Sequence, residues 1–180
     1  MTNASQPHEL NKALVEINKT IVDWLKFAEA KNAGLLAGNL AVIFGIARID
    51  SLASATAQTF AWFYLWNIVV FCGLSAVLCL ISIVPQVRIP LMWARRGDIN
   101  SDLVFFGSIA THTRDTYIGQ FESATQTKLS QLDRDLAGQI VVNSRIAQRK
   151  FFSFKWSAWL TLSAFITPIA AAWLMFTREK

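Results

Sequence analysis

Ser108, His112 and Asp115 are spaced by four and then three residues, so a continuous helix would carry all three on one face. A hydroxyl, an imidazole and a carboxylate are the parts of a nucleophile, its base and the group that orients the base. Side chains stacked along one helix rarely converge on a substrate carbonyl, however, and no oxyanion donors accompany them, so His112 reads as a surface or interhelix residue. The other chemical signatures are missing: the chain contains no GxxxxGK[ST], HExxH, paired CxxC or GxSxG, and His8 and His112 lie far apart. Cys72 and Cys79 sit in an apolar stretch, where small-residue packing is the ordinary role. No catalytic or metal site is expected, and the chain does not read as an enzyme. A second set, Arg88, Arg95, Arg96, Arg149, Lys150 and Lys155, has the charge to hold a phosphorylated ligand or the headgroups of anionic lipids. Charge alone favours lipid, since such clusters are ordinary at cytoplasmic interfaces.

The elements that carry these residues follow from composition. Of 180 residues 53% are apolar and only 16% charged, too few charges to cover a water-facing surface. Three runs concentrate the apolar residues. Ala33 to Ala47 holds 15 residues without a charge, Phe60 to Val84 holds 25, and Trp156 to Thr177 holds 22. At about 1.5 Å rise per residue the second and third reach across a hydrocarbon layer of about 30 Å, and the first does so with help from its flanks. Three transmembrane helices are therefore expected.

Orientation follows from the basic residues. Lys12, Lys19, Lys26 and Lys31 precede the first span and ten Lys or Arg lie between the second and third, against Arg48, Arg178 and Lys180 on the other side. The positive-inside rule puts the amino terminus and residues 85–155 in the cytoplasm. Trp62, Tyr64, Trp66, Trp156, Trp159 and Trp173 fit an interfacial aromatic belt. The net charge of +5 then needs no nucleic acid. A cleavable leader ending near Ala53, Ala55 and Ala57 is the competing account of the first span, but the preceding residues are long and contain Glu9, Glu16, Asp23 and Glu29.

Before the first span Leu10, Leu14, Ile17, Ile21, Trp24 and Ala28 form one helical stripe, so the first helix is expected to run unbroken from cytosol into lipid. Pro85 and Pro90 stop the second helix at the membrane surface. Beyond them the pattern predicts a helix over 100–112 and a longer one from about Tyr117, with Leu129, Leu132, Leu136, Ile140, Asn143 and Ile146 near one face and continuity into the last span. Gly34, Gly38, Ala41 and Gly45 give the first span a small-residue face for close helix approach, within one chain or between chains. Asn39, Asn67, Thr161, Ser163 and Thr167 need partners in lipid and serve as interhelix glue.

In DINSDLVFFGSIATHTRDTYI and RDLAGQIVVNSRIAQRKFFSFKWSAW the chain resembles the transmembrane effector family of Pycsar anti-phage systems. The resemblance is diffuse and runs over roughly residues 20–177, through Phe106, Gly107, Ile109, Ala110, Tyr117, Asp135, Leu136, Gln139, Ile140, Ile146, Lys150 and Phe151. It implies a bacterial inner-membrane effector paired with a uridylate or cytidylate cyclase. Cyclic UMP or cyclic CMP would drive it to oligomerise and breach the membrane, giving abortive infection. The chain carries no cyclic-nucleotide-binding β-barrel, so a messenger pocket must be built from cytosolic helices, across subunits. Arg or Lys would meet the phosphate, and Tyr117, Trp93 or Phe151 would stack on the base. The candidates are Arg95, Arg96, Tyr117, Asp135, Gln139, Asn143, Arg145 and Lys150.

The expectation is thus an all-α membrane protein whose long first and last helices extend into a cytosolic helical bundle. Its parts are a cytosolic amphipathic helix over 1–32, spans at 33–49, 60–84 and 156–177, a periplasmic loop at 50–59, a cytosolic helical region over 85–155 and a periplasmic tail at 178–180. Its partners are the bilayer, the nucleotide and further copies of itself. The alternatives are a constitutive oligomeric scaffold or channel-like subunit without nucleotide control, and an enzyme using the Ser108 row.

Overall fold

A computed structural model describes residues 6–50, 59–84 and 102–178. Five helices follow in order: α1 (Gln6–Asp50), α2 (Thr59–Ile83), α3 (Phe106–Ile109), α4 (Arg114–Thr125) and α5 (Gln131–Arg178). There is no strand among the described residues. Two compact units divide the chain. One takes the described residues of Met1–Ala28 and Gln86–Phe151, the other those of Glu29–Pro85 and Phe152–Lys180, so α1 and α5 each contribute to both.

The first unit is held by large apolar side chains. Leu14, Ile17 and Ile21 of α1 pack with Ile109, with Tyr117, Ile118 and Phe121 of α4, and with Leu129, Ala137, Ile140 and Val141. Removing such surface from water is the dominant favourable term in an aqueous fold. The expected α1 stripe holds at Leu14, Ile17, Ile21 and Ala28, but Trp24 is 41% exposed. On α5 the buried face runs through Asp133, Ala137, Ile140, Val141, Ser144 and Ala147, while Leu132 is 72% exposed. The expected stripe holds at Leu129 and Ile140, with Leu136 packed against the core, but it is turned toward Ala137, Ser144 and Ala147, small residues that apolar periodicity underrates.

Local chemistry sets the helix boundaries. The single helix expected over 100–112 is only α3, because the Asp102 carboxylate accepts from the backbone N–H of Val104 at 2.8 Å and of Phe105 at 3.4 Å. Such a side-chain turn competes with helix. Beyond α3 the chain is extended at Thr113, whose hydroxyl accepts from Thr116 N–H at 3.2 Å and caps α4. Ser108 and His112 thus precede the cap and Asp115 follows it, so the one-face row does not form. Nor is the helix from Tyr117 continuous into the last span. It starts at Arg114, stops at Gln126 with φ 52°, and α5 begins afresh. Ser130 caps α5, since its hydroxyl is 2.6 Å from Asp133 Oδ2 and 3.3 Å from Asp133 N.

The second unit is built the other way round. Its buried residues among those described are Asn32, Asn39, Cys72, Ser75, Ala76, Cys79, Ser157 and Ala164, none of them a large aliphatic or aromatic. Cys72, Ser75, Ala76 and Cys79 form one face of α2 at helical spacing. Phe44, Phe63, Trp66, Leu74, Leu80, Trp159 and Ile166 are all more than half exposed. Within the unit Asn39 Nδ2 donates to Ser75 Oγ at 2.8 Å, and Ser75 Oγ donates to the Ser157 carbonyl at 2.8 Å. The Thr161 hydroxyl lies 2.9 Å from both Asn39 Oδ1 and Ser75 Oγ. Asn39 and Thr161 are thus the interhelix glue their types suggested. Ser163 and Thr167 instead bond the carbonyls four residues back in α5, and the buried Asn67 Oδ1 has no partner. α1 and α2 are long and apolar enough to cross a membrane. The 50–59 loop falls almost wholly outside the described residues.

Candidate functional site

The first unit contains an open cleft of about 370 Å³ lined by Arg114, Asp135, Gly138, Gln139, Val141, Val142, Asn143 and Arg145. That volume falls in the range of small-molecule sites. Two elements position it. The Thr113 cap starts α4 so that Arg114 is its first residue, and the Ser130–Asp133 cap starts α5 so that Asp135, Gln139 and Val142 recur on one exposed side.

Four sequence candidates meet here: Asp135, Gln139, Asn143 and Arg145. Arg145 Nε donates to the Ala110 carbonyl at 3.2 Å and its Nη2 to the His112 carbonyl at 2.6 Å. Those bonds tie α5 to the link before α4, and both acceptors are neutral. No carboxylate among the described residues pairs with this guanidinium. Asn143 Nδ2 donates to Asn18 Oδ1 of α1 at 3.3 Å, which fixes its amide plane. Arg114 Nη2 reaches Asp135 Oδ1 at 2.6 Å, and Gln131 Nε2 lies 3.4 Å from the same oxygen.

The remaining candidates lie elsewhere. Tyr117 is fully buried, its hydroxyl donates to the Leu103 carbonyl at 3.0 Å, and burial followed by the nearby Asp102 charge pushes its phenol well up. It is a neutral core residue with no face open for stacking. Lys150 is half-buried on α5 and does not line the cleft. Phe151 stacks on Phe106 at 5.3 Å and meets Trp24 at 6.0 Å, inside an aromatic cluster. Arg95, Arg96 and Trp93 lie outside the described residues. Arg114, Gly138, Val141 and Val142 were missing from the sequence candidates. The Arg114 contact joins residues 21 apart across two helices, which no local pattern reveals. Gly138 did carry a signal, as an isolated glycine inside a helical pattern.

Two acids beside the cleft elements are strongly held. For Glu122 a hydrogen bond from the Leu129 N–H is the leading reason its carboxyl sits below the usual range, with Arg134 at 2.9 Å assisting. Burial pushes Asp133 up, but hydrogen bonds from Ser130 and from Asn11 at 2.7 Å outweigh it and leave the carboxyl lowered. On α1, a Cβ placed on Gly34, Gly38 or Gly45 would meet nothing within 4 Å, and Ala41 is exposed. Among the described residues nothing packs against this small-residue face at its glycines.

Residues 13–177 match the family model described as the Pycsar effector protein domain. The chain is 32% identical over 157 residues to the Pycsar effector protein RsPycTM of a Rhizobium species, covering 81% of this chain and 84% of that protein. No solved structure matches.

Proposed function

This chain belongs to the Pycsar effector family, and from that premise we propose that it is an anti-phage effector of the bacterial inner membrane, switched on by cyclic UMP or cyclic CMP. Spans at 33–49, 60–84 and 156–177 hold it in the bilayer with its amino terminus and residues 85–155 in the cytoplasm, the side on which most Lys and Arg lie. Family membership carries the effector role, and the observation that carries its place in a membrane is the inverted burial of the second unit, with Asn39, Ser75 and Ser157 inside and Phe44, Trp66 and Leu80 outside. Hydrocarbon rewards that arrangement and water opposes it.

The nucleotide binds in the α4–α5 cleft. Its single phosphate charge is met by Arg145 and Arg114, and its ring lies against the exposed Val142 with the Gln139 and Asn143 amides at its polar edge. Ligand that binds better to an assembled state shifts the population toward it. The open glycine face of α1 gives copies a place to approach closely, and assembly of the spans breaches the membrane. Nucleotide is supplied by a uridylate or cytidylate cyclase.

The test is dye release from liposomes carrying the purified chain. Release is expected only with cyclic UMP or cyclic CMP, and Arg145→Ala should abolish the dependence. Release that is unchanged by both nucleotides would instead favour the constitutive scaffold.

A further inference from the structure

Arg114 leaves the first turn of α4 and lies flat across α5 to reach Asp135. It passes over Gly138, where a Cβ would come within 3.2 Å of Arg114 Nε and 3.3 Å of its Cδ and the side chain would have to shift by a few tenths of an ångström. The pair it forms faces the cleft and is about half exposed on both sides, at 51% and 54%. Ion pairs so exposed are weak, because water screens the attraction and two long side chains lose freedom. A short 2.6 Å contact is therefore held by a small free energy.

The second guanidinium of the cleft, Arg145, is anchored through the Ala110 and His112 carbonyls, two neutral acceptors in the link that leads into Arg114. The cleft thus has two positive charges, Arg114 and Arg145, and one negative one, Asp135. A phosphodiester carries a single negative charge and accepts hydrogen bonds from a guanidinium with the same geometry as a carboxylate.

We infer that Asp135 is an internal stand-in for the ligand's phosphate, occupying Arg114 until the ligand displaces it. This rests on the nucleotide reading of the cleft and reverses the role of Asp135, from a ligand contact to a competitor. On displacement the Asp135 carboxylate turns to water, with Gln131 Nε2, already 3.4 Å away, as its remaining neighbour. Arg114 then bonds the ligand instead of α5, so binding loosens the tie between α4 and α5. Asp135 sets the threshold: it raises the concentration of messenger needed to engage the site.

The experiment is isothermal titration of the full chain in detergent micelles with cyclic UMP and, separately, cyclic CMP. Asp135→Asn keeps the shape and removes the charge, and should bind about two- to fivefold more tightly, the equivalent of an exposed ion pair. Arg114→Ala should bind about tenfold or more weakly, with helicity by circular dichroism unchanged. Asp115→Asn makes the same change in net charge on the exposed side of α4 and should leave the affinity unaltered. Equal or weaker binding by Asp135→Asn overturns the inference, as does equal tightening by Asp115→Asn, which would mean net charge alone is at work. If the unsubstituted chain binds neither nucleotide, the cleft reading beneath the inference fails and takes it along.

Discussion

The two units of the chain share two helices and bury opposite kinds of residue. Around Ile140 the interior is Leu, Ile, Phe and Tyr, with ion pairs and caps at the edges. Around Ser75 the interior is Asn, Ser, Cys and Ala, and the aromatic and aliphatic side chains are outside. The same α5 backbone serves both. What changes along it is the kind of residue that is buried. In water, helices gain by hiding large apolar surface. In hydrocarbon that gain vanishes, and close packing of small residues with a few interhelix hydrogen bonds is what remains.

The contrast can be broken by substitution. The largest effect is expected at Ile140→Ala, fully buried in the first unit, at about 2–5 kcal/mol for the lost burial and the cavity. Thermal melting followed by circular dichroism should show it, and a loss below about 1 kcal/mol would mean that the first unit is not held by its apolar core. Asp133→Asn should cost about 1 kcal/mol by weakening the cap of α5.

That variant also tests a pH dependence. Asp133 and Glu122 are both lowered in the folded chain from ordinary values of 3.8 and 4.5, so below those values the unfolded chain binds protons that the folded chain does not. Their contribution is complete above about pH 5, and falls away as pH drops through 4.5 and 3.8 toward the lower folded values. Acid titration of Asp133→Asn should show a shallower loss than the unsubstituted chain.

In the second unit Asn39→Leu removes the amide that joins Ser75 to Thr161, at about 0.5–1.5 kcal/mol, the usual size of an interhelix hydrogen bond in lipid. A loss as large as that of Ile140→Ala, measured by unfolding in mixed micelles, would erase the distinction between the units. The smallest effect is expected at Phe44→Ala. Phe44 is 69% exposed, and its truncation should leave the stability of a single chain in lipid unchanged within about 0.5 kcal/mol.

Much of this was legible from residue order. The uninterrupted α1 followed from the stripe through Leu14, Ile17 and Ile21, and the interhelix roles of Asn39 and Thr161 followed from polar groups set in apolar runs. Four candidates named from the family resemblance and the chemistry of a phosphate ligand, Asp135, Gln139, Asn143 and Arg145, line the cleft. The failures share a cause. The break between α3 and α4 depends on Asp102 and Thr113 turning back on their own backbone, and helical periodicity does not register such local competition. The turned face of α5 buries Ala137, Ser144 and Ala147, small residues that weigh little in an apolar pattern. A flat base calls for an aromatic face, and Tyr117 offers one by residue type. Only the fold shows its ring in the core, with the hydroxyl committed to Leu103. The Arg114–Asp135 pair required two helices to be placed first.

The most direct measurement is cysteine labelling in liposomes. With Cys72→Ala and Cys79→Ala as background, Phe44→Cys, Ile166→Cys and Gln139→Cys are treated one at a time with a charged maleimide, after freeze–thaw exposes both faces of the bilayer. Gln139→Cys should label rapidly, while Phe44→Cys and Ile166→Cys stay unlabelled until detergent dissolves the lipid. Equal labelling of all three in the intact bilayer would contradict the claim that the outward face of the second unit is made for hydrocarbon.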